Sequence, residues 1–183
     1  MRDDSLAVRF RRYDPRDQAA VLALHEWAME AAGTTPSDIP GTADLQAIER
    51  EYFAGGDFVV GLLAEGPDLP ETFDGQIVAM GGFLPSEDGH EDERTVADAA
   101  ELHRMRVAPT HQRRGIGRQL LTELERRIRE AGFETALATT ARRQEGAVAF
   151  YPSAGYREVD RSTYGEYDLV HYEKSLAADQ SPD

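Results

Sequence analysis

The period of the apolar positions changes along the chain, and each change marks an element. Residues 6–11 alternate apolar and polar like a half-buried strand. Asp14 followed by Pro15 signals a helix start. Val21, Leu24, Ala28 and Ala31 then share one face of that helix, which Gly33 ends. Thr42 is placed to cap a second helix carrying Leu45, Ile48 and Tyr52, and Gly55-Gly56 breaks it. Residues 58–65 and 76–84 read as strands, separated by a loop rich in Gly, Pro and Asp. The polar, acidic stretch 85–98 reads as an exposed loop, and 100–107 as the central strand. From 115 to 131, Ile116, Leu120, Leu121, Leu124 and Ile128 form a one-sided stripe at helical spacing, stopped by Gly132. A strand over 133–140, a short helix over 144–154 and strands over 156–161 and 167–174 complete the series. Residues 177–183 are expected to be a disordered tail. The predicted order is β-α-α-β-β-β-α-β-α-β-β, an α/β (α+β) chain forming a single domain over 1–176.

The segment Val107-Ala108-Pro109-Thr110-His111-Gln112-Arg113-Arg114-Gly115-Ile116-Gly117-Arg118 carries the most chemistry. It runs from a strand end through a glycine-containing turn into the long amphipathic helix. Free backbone N–H groups and the positive dipole end make a helix N-terminus a site for anions. Gly115 and Gly117 let a ligand approach that backbone closely, and Arg113, Arg114 and Arg118 add guanidinium donors suited to phosphate. The segment therefore reads as a diphosphate cradle. It is not G-x-x-x-x-G-K-[ST], since no Lys and no Ser or Thr follows the second glycine. Nor is it G-x-G-x-x-G, since Leu120 stands at the third glycine position.

Gln112-Arg113-Arg114-Gly115-Ile116-Gly117 resembles the Q/R-x-x-G-x-G/A signature of the GNAT N-acetyltransferases. Ala147-Val148-Ala149-Phe150-Tyr151-Pro152-Ser153-Ala154-Gly155-Tyr156 is similar to a second segment of that family. The resemblance is sharpest from Glu101 to Tyr156. It implies the GNAT acyl-CoA N-acyltransferase fold, a mixed sheet of about seven strands flanked by about four helices. It also implies acetyl-CoA as cosubstrate and transfer of its acetyl group to a primary amine by direct attack on the thioester. The acceptor it implies is an amine of an unidentified small molecule or peptide. Another reading is a GNAT-like module that binds acyl-CoA without turnover.

The same resemblance assigns roles. Cofactor binding falls to Met105, Arg106 and Val107, which would pair with the pantetheine arm, and to Gln112, Arg113, Arg114, Gly115, Ile116, Gly117 and Arg118. A backbone N–H near Val107 would face the developing oxyanion. Gln144 stands where the family often has asparagine, and glutamine reaches further. Tyr151 takes the place beside the cofactor sulfur. A phenol of pKa about 10 is close enough to a thiol of about 8.5 to protonate a departing thiolate; the alternative for Tyr151 is packing the last helix on the sheet. Glu101, which several family members match with a glutamate near this place, is the candidate base, or else a solvent-facing carboxylate. Strand alternation puts it on the face of His103 and Val107, where His103 could relay a proton. Trp27 lies on the first helix and reads as core or acceptor pocket.

Composition narrows the partners. The chain has 34 acidic and 20 basic residues, a net charge of −14, and Lys174 as its one lysine. That disfavours nucleic acid. High-salt adaptation and biased codon usage both fit the acidity. The acidic residues 87–93 could steer a cationic acceptor or simply stay solvated. There is no cysteine, which excludes thiolate chemistry and disulfides. No run of eighteen apolar residues spans a membrane, and residues 1–5 lack the apolar core of a signal peptide, so a cytoplasmic location is expected. His25, His90, His111 and His171 show no metal-ligand spacing, so no metal is expected. A homodimer is left open.

Overall fold

The computed structural model describes residues 6–34 and 42–177. The elements are β1 (Arg9–Arg12), α1 (Gln18–Ala31), α2 (Ile48–Tyr52), β2 (Asp57–Leu63), β3 (Glu71–Thr72), β4 (Gly75–Pro85), β5 (Ala99–Val107), α3 (Ile116–Glu130), β6 (Thr135–Ala141), α4 (Glu145–Ser153), β7 (Arg157–Tyr164) and β8 (Tyr167–Ser175). The sheet has eight strands in the order β1-β2-β4-β5-β6-β8-β7, with β3 paired to β4. It is mixed: β5 and β6 run parallel, while β1–β2, β6–β8 and β7–β8 are antiparallel. The expected mixed α/β class holds, with β3 added to the seven strands read from the sequence. Residues 1–5 and 178–183 of the terminal expectations lie outside the described residues. No described helix is long and apolar enough to cross a membrane.

Contacts divide the chain into two compact units, one of residues 1–82 and 104–124, the other of 83–103 and 125–183. In the first unit, β2 is buried on both faces from Phe58 to Leu63, as its unbroken apolar run requires. The α1 stripe buries Val21, Leu24 and Ala28, whereas Ala31, the last residue of the helix, is exposed. The second helix is shorter than expected. Thr42 begins a run of turns, and regular helix starts at Ile48, although Leu45, Ile48 and Tyr52 are all buried as the spacing required. Gly82 is needed for contact: a Cβ there would meet the Asp57 carbonyl at 2.8 Å and Phe58 at 2.7 Å.

In the second unit, β6 and β8 pair along seven residues from Thr135↔Ser175 to Ala141↔Leu169. β5 and β6 share only Ala99↔Thr135, Ala100↔Ala136 and Glu101↔Leu137. β7 is an edge strand exposed along nearly its whole length. Its charged residues and a register shift between Glu158 and Asp160 discourage pairing with another chain. The sole lysine is internal to this unit's architecture. Lys174 Nζ donates to Glu125 Oε1 at 3.1 Å and to the Ala154 carbonyl at 3.0 Å, while Tyr156 Oη donates to the same Glu125 oxygen at 3.0 Å.

The start of the first unit is pinned by one buried carboxylate. Asp14 and Asp17 form a capping box around a 3-10 turn at Pro15–Asp17, which precedes α1 proper. Asp17 is fully buried and accepts a two-pronged pair from Arg11, at 2.7 and 2.8 Å, and a short hydrogen bond from Thr72. Arg11 also reaches Asp74 at 2.7 Å, tying β1 to the β3–β4 turn. Burial alone pushes the Asp17 carboxyl up, but the Arg11 and Thr72 hydrogen bonds outweigh it and hold it below the ordinary value. Asp74 is held at about 2, chiefly by Arg11.

Both carboxyls bind protons more weakly in the folded state. Their stabilisation is therefore complete above the unfolded value of about 4 and is lost as pH falls through the folded values. The melting temperature should drop steadily as pH is lowered from about 5 to about 2. Asp17→Ala, which leaves a partly buried guanidinium short of its main acceptor, should cost about 3–5 kcal/mol at neutral pH and flatten that acid limb. Thermal melts of both proteins across the range check this; equal slopes would detach Asp17 from the acid sensitivity.

Candidate active site

The cradle segment folds within the first unit. β5 ends at Val107, a 3-10 turn spans Pro109–His111, and α3 begins at Ile116. Arg113 (φ 61) and Gly115 (φ 80) both adopt left-handed backbone. Left-handed residues alternating with ordinary ones turn successive N–H groups to one side, forming a concave nest for anions. Gly115 meets nothing within 4 Å where a Cβ would stand, so the nest opens outward. Arg113, Arg114 and Arg118 are exposed, while Ile116 is buried and anchors the helix start. Gln112 braces the turn, its Nε2 donating to the Val107 carbonyl at 3.2 Å. His111 is buried within the turn. It is 5% exposed, its Nδ1 lies 2.9 Å from Thr110 Oγ1, and burial and Arg114 lower its basicity.

Met105, Arg106 and Val107 are half-buried at the end of β5. The strand does not alternate through this region as the sequence reading assumed, because Arg104 adopts φ 55, a left-handed conformation in mid-strand. The parity that was to place Val107 on the face of Glu101 and His103 is interrupted there. Arg104 is held by Asp44, with Nε to Oδ2 at 3.0 Å and Nη2 to Oδ1 at 2.7 Å, and Tyr52 Oη donates to Asp44 at 2.8 Å. Burial pushes the Asp44 carboxyl up, but the Arg104 hydrogen bonds win and lower it. His25, buried on α1, is lowered to about 4 by burial and by the charges of Arg106 and Arg104, and its Nδ1 has no hydrogen-bond partner. It is neutral at physiological pH. None of Asp44, Tyr52, Arg104 or His25 was singled out for this cluster from sequence, since Arg104 lies sixty positions from Asp44 and further still from His25.

Glu101, Gln144 and Tyr151 belong to the second unit. Glu101 is 1% exposed, so it is not a solvent-facing carboxylate. Its Oε1 has no partner, and burial and the nearby Glu93 charge push its carboxyl well up. Glu93 is no freely solvated loop residue either. Its side chain is 6% exposed, and its Oε2 lies 2.6 Å from His103 Nε2. The 85–98 segment expected to be an exposed loop is anchored too: buried Ser86 donates to the Arg94 carbonyl at 2.8 Å and accepts from Val96 N at 2.9 Å.

Gln144 is the exposed N-cap residue of α4, its Oε1 accepting from Thr140 Oγ1 at 3.1 Å. Tyr151 is half-buried near the end of that helix, its ring 5.4 Å from Tyr156 and 5.6 Å from Tyr172. Pro152 cannot donate to the Val148 carbonyl four residues back. Tyr172 Oη approaches that carbonyl at 3.4 Å instead. No residue of α4 is fully buried, although Ala147, Val148, Phe150 and Tyr151 are apolar or aromatic.

With this geometry in hand, the profile of the Acetyltransferase (GNAT) family matches residues 21–156. The chain belongs to this family. No curated protein matches the sequence. Among solved structures, a GNAT acetyltransferase of Staphylococcus aureus Mu50 is 20% identical, with TM-score 0.72, over 93% of this chain and 99% of that one. The Salmonella typhimurium yncA putative acetyltransferase, solved with acetyl-CoA, is 20% identical, with TM-score 0.66, over 97% and 99%. The ribosomal-protein-S18-alanine N-acetyltransferase of Escherichia coli is 18% identical, with TM-score 0.65, over 97% and 100%. Identities this low show the GNAT fold, which the strand order and the cradle already describe.

Removing Asp44 leaves the buried Arg104 guanidinium without its carboxylate and frees the left-handed backbone. Asp44→Ala should therefore destabilise the protein by about 3–5 kcal/mol. Denaturant unfolding of the variant checks this, and a loss below about 1 kcal/mol would reduce the pair to a surface-type contact.

Proposed function

We propose that this GNAT protein transfers the acetyl group of acetyl-CoA to a primary amine of a small molecule or peptide. The observation that carries the proposal is the anion nest, with left-handed backbone at Arg113 and Gly115 at the start of α3. It fits a diphosphate: the backbone from Arg113 to Arg118 supplies N–H donors, the space over Gly115 is open, and the exposed residues Arg113, Arg114 and Arg118 belong to the same segment. Gln112 would steady the turn, and Gln144 would offer an amide to the cofactor. Met105, Arg106 and Val107 would hold the pantetheine arm along the strand end, where a backbone N–H near Val107 would receive the oxyanion. Acetyl-CoA, when bound, supplies a thioester carbonyl open to attack.

The chain's own groups then manage protons. Glu101 takes the proton that the acceptor ammonium must lose before it can attack. Its unpartnered Oε1 supports this role, since the interior carboxylates of Asp17, Asp44 and Glu125 are each engaged by a cation. Tyr151 Oη donates a proton to the leaving sulfur. Its ring, flanked by Tyr156 and Tyr172, keeps the hydroxyl in a set direction.

Gly117→Glu sets a carboxylate against the diphosphate and should weaken acetyl-CoA binding more than tenfold, about 1.4 kcal/mol or beyond, with an unchanged circular dichroism spectrum. Calorimetry showing near-normal affinity would remove the cofactor from this site. Tyr151→Phe deletes the proton donor and little packing. In a thiol-release assay over a panel of amines, kcat should fall by about a hundredfold while acetyl-CoA affinity barely changes. Release of no thiol with any amine, despite tight binding, would instead favour a non-catalytic acyl-CoA module.

A further inference from the structure

In the second unit, the turn after β4 and the strand β5 gather three side chains of ligand type. One nitrogen each of His90 and His103 and a carboxylate oxygen of Glu93 all lie within 4.8 Å of one another. Glu93 Oε2 is 2.6 Å from His103 Nε2, and Glu93 Oε1 accepts from the His90 backbone N–H at 2.8 Å. The second contact closes a tight turn, so His90 and Glu93 are presented together, and the rings of His90 and His103 stand 5.2 Å apart at 38°. The side chains of His103 and Glu93 are 10% and 6% exposed, whereas His90 is exposed. Two ligands are thus protected and one stands at the mouth.

A separate observation points to a cation. Glu101, two residues before His103 on β5, is 1% exposed, and its Oε1 has no hydrogen-bond partner. A buried polar atom without a partner is costly unless a group from outside the chain meets it. We propose that His90, Glu93 and His103 form a binding site for a divalent transition-metal ion of the zinc type.

Two imidazoles and one carboxylate make a nitrogen-rich set that suits Zn²⁺, whereas Mg²⁺ and Ca²⁺ take oxygen ligands. Metal–ligand distances of about 2.0–2.2 Å require the three atoms to draw in around the ion. The exposed His90 ring is free to supply most of that movement. Between Glu93 and His103 the ion takes the place of the shared proton, so their separation opens slightly. The proposal stands whether or not the chain transfers acetyl groups.

The test is calorimetric titration of the full chain with zinc chloride, after stripping with a chelator and removing it by dialysis. One saturable site per chain is expected, with at least tenfold weaker binding in both His90→Ala and Glu93→Gln. His111→Ala, which alters a histidine outside the cluster, should bind as the parent does, and magnesium chloride should give no comparable site. Titration with Co²⁺ should raise visible absorption bands of tetrahedral intensity, and these should vanish in His90→Ala. Because His90 is exposed, that variant keeps its fold, which circular dichroism verifies. No saturable zinc binding by the parent, or binding undiminished in both variants, overturns the proposal.

Discussion

The course of the central strand depends on the ion pair between Arg104 and Asp44. A left-handed residue other than glycine costs about 1–2 kcal/mol, and it persists only where its surroundings leave no alternative. Here the guanidinium is gripped at two points by Asp44, and Tyr52 Oη donates to the carboxylate oxygen that Arg104 Nε also meets. The run of turns and short helix that replace the expected second helix place these groups. Leu45, Ile48 and Tyr52 bury their apolar surfaces and thereby hold Asp44 in position. β5 thus has two parts. One carries Glu101 and His103 beside β6, and the other carries Met105 to Val107 toward the anion nest.

Much of this was legible because periodicity reports which face of an element is buried. The α3 stripe is one-sided in the sequence, and Ile116, Leu120, Leu121, Leu124 and Ile128 are all buried in the fold. The cradle was legible for a different reason. Its glycines, arginines and strand-to-helix setting are local, so a short window contains the whole arrangement. The lost parity at Arg104 was not legible, because alternation assumes extended backbone at every residue. The partner that enforces the turn, Asp44, lies sixty positions away.

The same distinction explains the acidic segment. Composition assigns 85–98 to solvent, and most of its charges do sit there. What composition cannot express is that one carboxylate among several, Glu93, meets a histidine ten positions later on a strand. Asp17 with Arg11, and Glu125 with Lys174, are further cases in which a charged residue that reads as surface is an internal fastener. The short strand β3 escaped for want of length, since a two-residue strand has no period to detect.

The interior carboxylates separate structural from chemical use of charge. Asp17 is matched by Arg11, Asp44 by Arg104, Glu125 by Lys174 and Glu93 by His103. Arg104–Asp44 and Lys174–Glu125 fasten segments distant in sequence, whereas Arg11–Asp17 and His103–Glu93 close local turns; in each the cost of burial is offset by a fixed partner. Glu101 is 1% exposed, yet no cation meets it: its side chain touches the Thr139 hydroxyl and the Glu93 carboxyl, and its Oε1 has no hydrogen-bond partner. A carboxyl left in that condition contributes nothing to stability by its charge. Its unpartnered oxygen is the feature on which the proposed use with a proton or a cation from outside the chain rests.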